Sequence, residues 1–143
     1  MPLALLALIV IGAVVAGGFA MAMLEQRAGG NALYLVQAAA AAEAGAAGTV
    51  GEWEAHGLVT LPPGDSAVLP EVHLSGGSAY RAVVRRLNAE LFELRAVGTR
   101  LDGDGGILAR RELELLLRRS DSAAPGAPVV RVLANRAWSR ATP

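Results

Sequence analysis

The sequence predicts an α+β fold, in which the C-terminal half of a long N-terminal helix packs on a small antiparallel β-sheet. Three observations lead there. The chain carries no charge before Glu25, an alanine-rich stretch follows that run, and from Gly57 onward short alternating segments are separated by turn residues. The helix is assigned to residues 1–54, with 1–24 as its apolar part and 25–54 as the part that packs on the sheet; residues 55–143 form the sheet domain.

Composition narrows the function. Of 143 residues, 53% are hydrophobic and only 18% charged, below the usual quarter. Such a balance excludes a disordered chain, a basic nucleic-acid-binding domain and an ordinary soluble enzyme core. Thirteen basic residues, all arginine, meet 13 acidic ones, so no bulk attraction to acidic partners is expected. Cysteine is absent, which removes disulfides and thiolate metal sites.

Residues 3–24 are apolar on every side. As a helix rising about 1.5 Å per residue they span roughly 33 Å, about one hydrocarbon core. A secretory signal would have a basic first region, yet no arginine precedes Arg27. A membrane anchor or a helix later withdrawn into a polymer fits better. Small residues recur through the run, among them Gly12, Ala13, Ala16, Gly17 and Gly18, and such residues let helix backbones approach closely. Each glycine costs about 1 kcal/mol relative to alanine inside a helix. From Ala32 to Ala44 no breaker occurs, so the helix is expected from about Leu3 to about Glu54. Its length of roughly 75 Å is too great to bury in a chain of this size.

The second part reads as strands. Pro62-Pro63-Gly64-Asp65 is a turn, and 67–74 is a strand that Pro70 assigns to a sheet edge. Gly76-Gly77 is the next turn, followed by strands over 80–87 and 91–100 that reverse at Asn88-Ala89. The Asp102–Gly106 loop leads to a strand over 107–119, and 120–128 links it to a last strand ending near Trp138. Leu113, Leu115 and Leu117 alternate with Glu112, Glu114 and Arg118; Phe92, Leu94 and Ala96 alternate with Glu93 and Arg95. Short turns pair such strands antiparallel, and their apolar face needs the alanine-rich helix as a lid. The opposite face carries Arg81, Arg85, Glu93, Arg95, Glu112 and Glu114, either as a solvated surface or as a lateral contact between subunits.

Sites of chemistry are sparse. His56 and His73 lack the partners of a metal site. The Asp102-Gly103-Asp104-Gly105-Gly106 loop has Leu113 where a calcium loop closes with glutamate, so a hairpin loop is expected. No G-x-G-x-x-G, P-loop or G-x-S-x-G pattern occurs. No catalytic residue, cofactor or metal is expected, and Trp53 and Trp138 are expected to anchor the core or an interface.

The apolar N-terminus, Leu24-Glu25-Gln26-Arg27, Asn31, Gln37-Ala38 and Ala41-Ala42-Glu43-Ala44-Gly45 together resemble the type IV pilins, nearest the group with a PilX-like N-terminal segment. The resemblance covers about the first third of the chain. It implies a straight or S-shaped N-terminal helix, a β-sheet head, and a structural role in a filament whose core is a bundle of these helices. It also implies processing by a prepilin peptidase, with a mature chain that begins near Met1. The partners it implies are further copies of the chain, the inner membrane before assembly and the pilus assembly machinery, with no nucleic acid. The location is an extracellular filament on the bacterial surface. Leu5, Leu8, Val15, Phe19 and Leu24 are the expected core of the polymerisation helix. Most major pilins carry Glu at the fifth mature position, where this chain has Leu5, which points to a minor tip or priming subunit as the alternative. A single-span envelope protein whose sheet binds a partner is the reading outside this family.

Overall fold

The computed structural model describes the backbone of residues 2–120 and 129–141 and the side chains of residues 11–120 and 129–133. The chain is one long helix followed by a six-stranded antiparallel sheet, so the α+β class holds. It divides between Leu33 and Tyr34 into two units.

Helix α1 runs Pro2–Gly51. In the first unit every described side chain from Ile11 to Leu33 is exposed, except at the half-buried Gly30.

In the second unit, the helix buries Ala38, Ala41, Ala42 and Ala46. Their three- and four-residue spacing puts them on one face. Tyr34, Leu35 and Gln37 are already half-buried. The helix was expected to end near Glu54. Regular α structure stops at Gly51, but the chain winds on to a defined cap. The Gly57 N–H donates to the Glu54 carbonyl (2.9 Å) and the Leu58 N–H to the Trp53 carbonyl (3.3 Å). With Gly57 at φ 66°, this is the Schellman pattern, in which a left-handed glycine satisfies the last carbonyls. Leu58 and Trp53, the apolar pair that accompanies the motif, are both buried in the core. A short 3₁₀ turn, Leu58–Thr60, follows.

The strands are β1 (Ser66–Val68), β2 (Val72–Leu74), β3 (Ser78–Arg86), β4 (Leu91–Leu101), β5 (Ile107–Arg119) and β6 (Val130–Ala141). Their order is β1-β3-β4-β5-β6, with β2 also on β3. The expected edge strand 67–74 is therefore two strands, both antiparallel to β3. Pro70 falls in the gap, since proline has no N–H to donate to a ladder. The Leu69 N–H still reaches the Ala82 carbonyl at 2.9 Å. Strand β3 begins two residues earlier than expected, because the hairpin loop contains only Ser75, Gly76 and Gly77, both glycines at positive φ. The turn before β1 closes by an Asp65 N–H to Pro62 carbonyl bond of 3.2 Å, with Gly64 at φ 91° in the position a type II turn reserves for glycine. The link over 121–128 and the side chain of Trp138 lie outside the described residues.

The core lies between the helix and one sheet face. It contains Ala46, Trp53, Leu58, Ala82, Val84, Phe92, Leu94, Ala96, Leu115, Leu117 and Val130. The register sets Val84, Leu94 and Leu115 side by side, and Phe92 beside Leu117. Trp53 meets Phe92 edge-on, with ring centroids 5.1 Å apart at 85°. Arg86 closes that end of the core. Its guanidinium sits 5.4 Å from the Phe92 ring centre and donates to the carbonyls of Leu61 (2.7 Å), Asn88 (3.0 Å) and Ala89 (3.0 Å).

Candidate functional site

The site predicted from the sequence lies in the first unit. Val15, Phe19 and Leu24 are 51%, 69% and 61% exposed, although each is a large apolar side chain. Leu5 and Leu8 belong to the helical backbone, and their side chains lie outside the described residues. At about 100° of rotation per residue, Val15 and Phe19 share a face and Leu24 lies on nearly the opposite one.

Further residues complete the apolar surface. Ile11, Val14, Met21 and Met23 are each more than 60% exposed, so apolar side chains cover the helix on all sides. The full run in the sequence carries that signal, since every position from 3 to 24 is uncharged. A Cβ added at Gly12, Gly17 or Gly18 would meet nothing within 4 Å. Among the described residues, nothing fills the space beside the helix at these glycines. Among the described residues, which begin at Ile11 for side chains, no helix is long and apolar enough to cross a membrane.

Close backbone approach does occur within the second unit, at a different glycine. A Cβ on Gly98 in β4 would overlap the Ala38 carbonyl oxygen and the Ala42 amide nitrogen. The helix thus rests directly on β4, and alanine at 38, 41 and 42 keeps its face flat enough to do so. One turn further on, a Cβ on Gly45 would come within 2.7 Å of the Tyr80 ring.

The polar residues form local pairs. His56 stands 3.5 Å from Glu52 and His73 3.6 Å from Glu71, while Arg81 binds Glu71 at 3.0 Å. Among the described residues no three His, Asp or Glu side chains are grouped to hold a metal. Asp102 caps the hairpin loop between β4 and β5: its Oδ1 accepts from the N–H of Asp104 (2.9 Å) and of Gly106 (2.6 Å). That bonding is a loop closed on itself by an Asx turn.

On the sheet face away from the helix, Arg95 Nε lies 3.1 Å from Glu112 and its Nη2 3.8 Å from Glu93. A cavity of about 300 Å³ opens there among Ser66, Val83, Arg85, Glu93 and Arg95.

Comparison with protein-family models, with curated proteins and with solved structures gives no match.

Proposed function

We propose that the chain is a structural subunit of a type IV pilus-like bacterial surface filament, which polymerises through its apolar N-terminal helix. One observation carries this reading: the helix from Ile11 to Leu24 is apolar and exposed on all sides, while its continuation buries a face of small residues, Ala38, Ala41, Ala42, Gly45, Ala46 and Thr49. An all-apolar surface needs lipid or protein around it.

Before assembly, lipid covers residues 3–24. In the filament, the same helices of neighbouring copies replace it. Burying a Leu or Val side chain is worth about 1.5–3 kcal/mol relative to water. Lipid already supplies that gain, so the exchange is nearly neutral in hydrophobic energy. What holds the polymer is close packing at small residues such as Gly12, Gly17 and Gly18, together with the cost of exposing the helix to water.

The uncharged Leu5 favours a second reading within the same family, a minor subunit at the filament tip or one that primes assembly. A paired buried charge only roughly breaks even, so its absence does not prevent packing.

Negative-stain microscopy of material sheared from cells, with mass spectrometry of its main band, tests both readings. The chain as the main band of filaments supports the major subunit, and a trace amount in filaments supports the minor one. A chain found only as monomers in membranes overturns both.

A further inference from the structure

Two opposite charges stand directly across from one another on β3 and β4 without meeting. The register sets Arg85 opposite Glu93, on the sheet face away from the helix, with Ser66 of β1 on the other side of Arg85. Side chains paired in this way start about 5 Å apart at their Cβ atoms, within reach for a guanidinium and a carboxylate. Arg85 nevertheless has no ion pair among the described residues. Glu93 lies 3.8 Å from Arg95 on its own strand, and Glu112 engages Arg95 more closely, at 3.1 Å. The cavity of about 300 Å³ opens among Arg85, Glu93, Arg95, Ser66 and Val83.

The charges around that cavity define what it can hold. A simple anion is drawn to Arg85 but meets the carboxylate of Glu93 at nearly the same range, and a simple cation meets the reverse. Glu112 already balances Arg95, so the charges left to a ligand are one positive and one negative. A zwitterion answers both. In an α-amino acid the ammonium and carboxylate share one carbon and stand about 3 Å apart, which fits between two facing side chains. The volume lies at the lower end of small-molecule pockets, roughly 300–1,000 Å³, and suits a molecule of that size. Val83 offers apolar surface beside the charges.

We infer that this cavity binds a small zwitterion of the α-amino acid class. The ligand carboxylate accepts hydrogen bonds from the Arg85 guanidinium and the Ser66 hydroxyl, its ammonium donates to Glu93, and an aliphatic side chain lies against Val83. All five lining residues belong to the sheet, so the site does not depend on the filament reading. Exposed ion pairs are weak, and a dissociation constant on the order of 1–10 mM is expected.

The test uses the full chain, labelled with ¹⁵N, in non-ionic detergent micelles. L-Valine would be titrated in, beside isovalerate, which lacks the ammonium, and isobutylamine, which lacks the carboxylate. Saturable shifts of the Ser66, Arg85 and Glu93 amides with valine are expected, with binding of either single-charge analogue at least about tenfold weaker. Arg85→Ala should weaken valine about tenfold. Glu93→Gln should also weaken valine, yet it should strengthen isovalerate, because the repelling carboxylate is gone. A variant that merely misfolds cannot show that gain. No saturable shift up to about 50 mM valine, well above the expected constant, overturns the inference. So does isovalerate binding the unaltered chain as tightly as valine, or valine binding that neither substitution changes.

Discussion

Gly98 on β4 faces the carbonyl oxygen of Ala38 so closely that the helix backbone lies where a Cβ would be. The obstacle on the helix side is main chain, which no change of side-chain rotamer can move. Gly98→Ala should therefore push the helix off the sheet and cost at least about 2 kcal/mol of stability. Urea denaturation of the full chain in detergent would measure it, and an unchanged midpoint would show that the helix does not rest on β4.

Leu94 and Leu117 are fully buried, and each sits in the layer between helix and sheet. Truncating either to alanine should cost about 2–5 kcal/mol, with the larger loss where the neighbours cannot collapse into the space. Val68→Ala at the exposed edge should stay within about 0.5 kcal/mol. Equal losses at all three positions, measured by the same denaturation, would contradict the burial described here.

Gly57 ends the helical path at φ 66°, a conformation that costs other residues about 1–2 kcal/mol. Gly57→Ala should lower stability by about that amount. Gly51 lies in open space at an ordinary helical φ, so Gly51→Ala should instead stabilise slightly. Thermal unfolding of the two variants distinguishes the cap from a general effect of glycine replacement.

Val15 is 51% exposed and belongs to none of the buried core of the sheet domain. Val15→Arg should leave the unfolding of the sheet domain unchanged and abolish filament formation, as should Leu8→Arg. Normal filaments seen by electron microscopy in cells making either variant would count against the proposed function. Filaments of the unaltered chain should survive dilution and dissolve in detergents able to replace neighbouring helices.

The strands were legible because their signals are local. Leu113, Leu115 and Leu117 alternate with charged or outward residues, and all three pack on the core side. Pro70 indicated an edge, and both short strands around it lie on the edge of β3. Trp53 proved to be a core anchor, 2% exposed. The division of the edge strand was less legible, because proline shows that a ladder bond is missing but not how many residues drop out. Arg86 reads as one more charged residue in a strand, and only its neighbours show that it joins three carbonyls. The Arg95–Glu112 pair was likewise invisible, since pairing depends on which strands are adjacent.

By itself the sequence determined the two kinds of structure and where they meet. An uncharged run, an alanine run and period-two alternation each depend on residues a few positions apart. Gly98 shows what those patterns leave open. A glycine inside a strand signals a close neighbour, but only folding brings Ala38 and Ala42 over it, sixty and fifty-six positions earlier in the chain. The tertiary structure decided that contact, the Leu58–Trp53 cap and the charge order of the outer face, because each depends on segments far apart in sequence whose distance no local pattern encodes.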